Sequence, residues 1–279
     1  MKQKEKNQME KNTYEMIVLD LDGTLTNSKK VITPKTKEAL FRIQQAGKKV
    51  VLASGRPTPG IVKLADELEL DRFGGYILAF NGGRIIQYST GDVIYNKTVP
   101  IELVGDIYQA AIEEQVGILT YTESEIILGN GVDEYNELES KINGIPMREV
   151  EDFVGFVNYP VNKFLLTGEP EKILHTQEVM RERFGWDLNI FRSEPFFLEL
   201  MPQSIDKAFS LEKLLEHMGM DRSQMICCGD GFNDKSMIHF AGLGVAMANA
   251  QPEVKEVADY ITASNDEDGI AQVITKFML

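Results

Sequence analysis

Histidine, cysteine and tryptophan are scarce in this 279-residue chain, at three, two and one. Cys227 and Cys228 are adjacent inside an apolar run, so they build no disulfide framework and lack the spacing of a zinc site. They read as reduced core thiols. His175, His217 and His239 fall on expected helices without metal-ligand spacing and read as structural. No run of 18 or more apolar residues is present, so no membrane span is expected. Basic residues are outnumbered, 29 against 43 acids, for a formal net charge of −14. Such a surface repels nucleic acid and anionic lipid, which excludes a polyanion or membrane partner and leaves small metabolites bound by local positive groups. The first residues, "MKQKEKNQMEKNTYE", have no apolar stretch of a secretory signal. They are expected to form a disordered polar tail over 1–13, and the expected address is cytoplasmic.

What is present is an alternation of greasy strands and amphipathic helices. "MIVLDLD", "KKVVLAS" and "GYILAF" are continuous apolar runs separated by helices, the pattern of a parallel sheet covered on both faces. Thr33-Pro34 has the form of an N-cap and first-turn proline. The same texture returns at the end, with "DKAFSLEKLLEHMGM" as a helix showing Leu211, Leu214, Leu215 and Met218 on one face. "QMICCGD", "LGVAMA" and "ADYIT" then read as strands. Between these blocks, hairpins mix with helices. The expected fold is α/β: a doubly wound parallel-sheet core over 14–84 and 198–279, interrupted by an inserted α+β cap over 85–197.

Four core strands each end on a polar group: Asp20 with Asp22, Ser54, Asn81 and Asp230. In a doubly wound sheet ligands bind beyond the carboxyl ends of the strands, so these groups are expected to share one crevice. Three carboxylates converging there indicate a cation. Oxygen ligands without nearby histidine or cysteine favour Mg²⁺ over zinc. A carboxylate can also attack phosphorus. Lys207, near a helix start, together with Ser54 and Mg²⁺, would neutralise and hold a phosphate.

The stretches "LDLDGT", "LASGR", a lysine ahead of the penultimate α/β unit, and "GDGFNDKSM" resemble the four motifs of the haloacid dehalogenase-like (HAD) phosphatases. The insert between the second and third motifs resembles the Cof-type subgroup with its large cap. The resemblance implies that Asp20 is the nucleophile and a Mg²⁺ ligand. It implies that Asp22 acts as acid and then base, with its backbone carbonyl facing the metal. Ser54, Lys207, Asn233 and Gly23 would line the phosphate, and Asp230 would ligate Mg²⁺. Asp234 would support the metal's waters or orient Lys207. Ala208 follows Lys207 where the family usually carries glycine.

Other residues have two readings. Gly55, Arg56, Asn81 and Gly82 are substrate contacts or ordinary turn and loop residues. Lys163 is a substrate-reading cap residue or an exposed lysine. Glu199 is expected to brace the return linker. The function implied is a Mg²⁺-dependent phosphatase of small phosphorylated metabolites, sugar phosphates or related phosphomonoesters, working through an aspartyl phosphate. A phosphomutase, which returns the phosphoryl group to a second hydroxyl, and a non-catalytic metabolite binder are the alternatives.

Overall fold

The computed structural model describes residues 14–279. The expected polar tail over 1–13 lies outside the described residues. The chain divides into two compact units, one comprising residues up to Gly55, Ile61–Tyr95 and Asp206–Leu279, the other Arg56–Gly60 and Asn96–Ile205.

The chain opens with β1 (Met16–Leu19), α1 (Pro34–Gln45), β2 (Lys49–Ala53), α2 (Pro59–Glu67), α3 (Leu70–Phe73), β3 (Tyr76–Ala79), β4 (Arg84–Gln87) and β5 (Val93–Asn96). Helix α1 starts where the sequence predicts: Thr33 is the N-cap and accepts from the Thr36 amide, and Pro34 occupies the first turn. It buries Ala39, Leu40 and Ile43.

The second unit follows: α4 (Val104–Glu113), β6 (Gly117–Tyr121), β7 (Ile126–Leu128), α5 (Glu134–Asn143), β8 (Met147–Glu149), α6 (Phe153–Phe156), β9 (Phe164–Thr167), α7 (Pro170–Phe184), β10 (Leu188–Glu194) and β11 (Phe197–Pro202). Its six strands form one sheet in the order β10-β11-β9-β6-β7-β8. The apolar core of this unit gathers Ile107, Phe153, Phe164, Met180 and Leu198.

The chain then returns to the first unit through α8 (Lys207–Met218), β12 (Met225–Gly229), α9 (Lys235–Phe240), β13 (Leu243–Ala246), α10 (Pro252–Lys255), β14 (Tyr260–Ile261) and α11 (Gly269–Phe277). The core sheet runs β14-β13-β12-β1-β2-β3-β4-β5. Pairing is parallel from β14 to β3, and β4 pairs antiparallel with β3. All four residues of β1 are buried, as a central strand between helical crossovers requires.

The boundary between units falls at Asn96 and Ile205 rather than at 85 and 197. Strands β4 and β5 hydrogen-bond into the core sheet, and β11 continues through Pro202 in the other sheet. The change of texture at "GGRIIQ" marks the first antiparallel strand, not the exit from the core.

The register sets the site. Leu19 pairs with Cys228 and with Leu52, and Ala53 pairs with Leu78. The residues that follow therefore emerge side by side: the Asp20 amide still donates to the Cys228 carbonyl (3.0 Å), and the Ser54 amide to that of Leu78 (2.9 Å). Cys227 and Cys228 are buried free thiols inside β12, and burial pushes both away from the reactive thiolate.

Candidate active site

At the carboxyl ends of β1 and β12, Asp20, Asp230 and Asp234 each bring a carboxylate oxygen within 4.8 Å of the others. Lys207 reaches into this group from the first turn of α8. Its Nζ donates to Asp20 Oδ1 at 2.8 Å, to Asp234 Oδ1 at 2.7 Å and to the Ala53 carbonyl at 3.0 Å. Lys207 and Asp234 are buried, and Asp20 is 6% exposed. An ammonium ion so enclosed needs these acceptors, because an unpaired buried charge is strongly destabilising.

Each acid is held differently. Asp234 spends its second oxygen on the backbone: Oδ2 accepts from the amides of Asp230 (3.0 Å) and Gly231 (2.9 Å). It brackets the loop after β12 and orients Lys207. Asp230 accepts from the Thr24 hydroxyl at 2.7 Å. Asp22 is not part of the three-acid group; its carboxylate accepts from Lys30 Nζ at 2.8 Å.

Burial, followed by the neighbouring charge of Asp234, holds Asp20 well above the usual carboxylate range, against the opposing pull of Lys207. Asp230 is raised to about 6, mainly by burial. Burial alone would lower Lys207, but Asp20 and Asp234 outweigh it and push its pKa up. The site thus concentrates more negative charge than one lysine neutralises. Its donors are all carboxylate oxygens. That is the donor set of a hard divalent cation, and the residues fit one.

Glycines make room for this packing. Gly23 sits at φ +87°, and a Cβ there would stand 2.3 Å from Asp230 Oδ2. Gly82, at φ +102°, would place a Cβ 2.7 Å from the Asp206 carbonyl and 2.6 Å from Ser210 Oγ. Gly82 therefore lets the start of α8, and with it Lys207, come close. Ala208, where a glycine is usual, needs no such approach. Its amide is taken by the N-cap Asp206 Oδ1 at 2.6 Å.

The remaining expected residues divide between the units. In the first, Ser54 is 4% exposed, and its carbonyl accepts from the Asn81 amide at 3.0 Å. Asn233 Nδ2 donates to Asn81 Oδ1 at 3.0 Å, and a Cβ on Gly55 would meet that Asn81 amide at 3.1 Å. Asn81 has φ +53°, a left-handed conformation that asparagine tolerates better than most residues. Arg56 donates to the Gly60 carbonyl at 3.4 Å and belongs to the segment grouped with the second unit.

Lys163, in that second unit, is 4% exposed, which overturns the reading of an exposed lysine. Its Nζ lies 3.5 Å from Glu199 Oε1 and 5.2 Å from the centre of the Tyr121 ring. Glu199 is a buried residue inside β11, not a linker brace. Its Oε2 is buried with no hydrogen-bond partner.

A parallel α/β core that ends adjacent strands on aspartates, with a buried lysine between them, carries the charged groups that phosphoryl transfer uses. The chain belongs to the haloacid dehalogenase-like hydrolase family, whose model matches residues 17–274. Among curated relatives, 5-amino-6-(5-phospho-D-ribitylamino)uracil phosphatase YcsE of Bacillus subtilis is 30% identical over 98% of this chain and 99% of its own length. A solved haloacid dehalogenase-like hydrolase from Bacteroides thetaiotaomicron is 50% identical, with a TM-score of 0.92 over 94% of this chain and 99% of that one. A subclass IIB sugar phosphatase of the superfamily superposes with a TM-score of 0.76 at 26% identity, covering 94% and 98%. The chain is accordingly an enzyme of the phosphatase type, as its motifs imply, and its acidic cluster is suited to a metal ion. No helix among the described residues is long and apolar enough to cross a membrane.

Proposed function

We propose that this enzyme hydrolyses small phosphorylated metabolites, sugar phosphates or related phosphomonoesters, with Mg²⁺ and through an aspartyl phosphate on Asp20. The observation that carries the reading is the buried Lys207 bridge between Asp20 and Asp234 beside Asp230. A carboxylate oriented by a fixed ammonium is a prepared nucleophile.

In this reading an Asp20 oxygen forms a bond to phosphorus while the bond to the alcohol oxygen breaks. Asp22, two residues on, gives its proton to the departing alkoxide, a contribution typically worth ~10²–10⁴-fold. It then takes a proton from water as that water attacks phosphorus and the bond to Asp20 breaks. Lys207, Ser54, Asn233 and the backbone at Gly23 hold the phosphoryl oxygens. Asp20, Asp230 and the backbone carbonyl of Asp22 would hold Mg²⁺, which when bound neutralises charge on the transferring group. Asp234 keeps Lys207 aimed at Asp20.

The test is phosphate release from a panel of phosphorylated metabolites, with Mg²⁺ or with chelator, beside Asp20→Asn. Mg²⁺-dependent turnover lost in the variant supports the reading. Turnover unchanged in the variant removes Asp20 as nucleophile. Transfer that depends on an added bisphosphorylated sugar would make the enzyme a mutase.

A further inference from the structure

Gly23 presents a problem of control. Its missing Cβ lets the Asp230 carboxylate close in, but the same lack leaves its backbone dihedrals weakly restrained, directly after Asp22. The turn is closed at its base, where the Leu25 amide donates to the Asp20 carbonyl (3.1 Å) and the Thr26 amide to that of Leu21 (2.9 Å), and the Gly23 carbonyl at its tip is held from outside. Asn249, in the loop after β13, donates its Nδ2 to the Gly23 carbonyl at 2.8 Å. Its Oδ1 accepts from the Asn265 amide at 3.1 Å, and Asn265 Nδ2 donates in turn to the Thr26 carbonyl at 2.9 Å. The loop that carries Asn249 is anchored to the other acid-bearing loop. The Gln251 amide donates to the Asp230 carbonyl (3.0 Å), and the Met247 amide to that of Gly229 (3.1 Å).

We infer that Asn249 is a positioning residue that fixes the Asp22–Gly23 turn against the Asp230 loop, so that Asp22 meets the leaving oxygen and then the attacking water in one orientation. The inference rests on the phosphatase reading above for its effect on rate. A side-chain amide fits the task, because it offers separate atoms for the donor to Gly23 and the acceptor for Asn265. Aspartate would set a carboxylate against the Gly23 carbonyl. Asn249 is exposed, so its replacement removes two hydrogen bonds near solvent without opening the core.

The experiment compares Asn249→Ala, Asn249→Asp and Asn249→Gln with wild type, using p-nitrophenyl phosphate as the probe. It reads kcat, KM, thermal midpoint and amide exchange over residues 22–26. The expected result for Ala and Asp is a kcat lower by roughly 10–100-fold, the scale of a small misplacement of a reacting group. KM should stay within about threefold, the midpoint should be nearly unchanged, and exchange over 22–26 should be faster. Gln, which keeps donor and acceptor, should recover part of kcat. A kcat for Asn249→Ala within about twofold of wild type overturns the inference. So does a fall in midpoint with exchange raised throughout the first unit, which would mark a structural role. If wild type releases no phosphate, the phosphatase reading fails separately. Exchange over 22–26 still decides whether Asn249 holds the turn, and unchanged exchange overturns that.

Discussion

Lys207 Nζ lies 2.8 Å from Asp20 Oδ1, and neither side chain is more than 9% exposed. The pair ties the start of α8 to the end of β1, 187 positions apart in sequence. Lys207→Met removes the only cation bonded to both Asp20 and Asp234 among the described residues and leaves two buried carboxylates facing each other. Breaking such a pair from one side typically costs about 3–5 kcal/mol. Chemical denaturation should show a loss of that order without metal, and turnover should fall to background. A variant as stable as wild type would mean that the carboxylates relax apart or protonate without penalty.

Asp20→Asn has the opposite signature. Burial and the Asp234 charge make an ionised Asp20 unfavourable in the metal-free protein. The neutral amide relieves this, so the metal-free variant should melt at or above the wild-type temperature. Activity should fall by on the order of 10³-fold or more, as when an essential nucleophile is removed. Stabilisation by added Mg²⁺ should shrink, because one ligand has lost its charge. Parallel melting curves with chelator and with Mg²⁺ check all three outcomes.

The raised Asp230 pKa gives a pH dependence whose sign follows from proton linkage. Its folded pKa is about 6, against a reference value of 3.8. Between these values the folded protein binds more protons than the unfolded chain, so stability falls as pH rises. The contribution is complete below pH 4 and lost as pH passes through about 6. Asp20, shifted in the same direction, adds to it. The chelated protein should therefore lose stability from pH 4.5 to 6.5 relative to Asp230→Asn. Denaturant titrations across that range measure it, and a flat difference would place the shift elsewhere.

Much of this site was legible because its chemistry is local. Strand-end acids interrupt apolar runs at Asp20 and Asp230, and the parallel register carries them together without further information. Lys207 and Asp234 are named by motif, but their mutual bond depends on packing of α8 that no spacing encodes. Gly82 reads as a turn, whereas its function in the fold is the close approach to Asp206. Asn249 carries no signal of its own, because one exposed asparagine in a loop looks like any other until its partners are known. The same limit hid the short strand Met147–Glu149 and the burial of Lys163. The strand lies at a sheet edge with exposed side chains, and the lysine is buried by tertiary contacts against its usual preference.

Lys163 supplies a prediction about the second unit alone. Its ammonium stands over the Tyr121 ring and 3.5 Å from Glu199 Oε1, while Glu199 Oε2 is buried without a hydrogen-bond partner. Lys163→Met leaves that buried carboxylate without its cation, and breaking a buried pair from one side typically costs about 3–5 kcal/mol. Chemical denaturation should show a loss of that order. Adding Glu199→Gln to Lys163→Met removes the stranded charge, so the double variant should recover most of the loss. A Lys163→Met variant as stable as wild type, or a double variant less stable than the single one, would show that the ion pair does not set the stability of this unit.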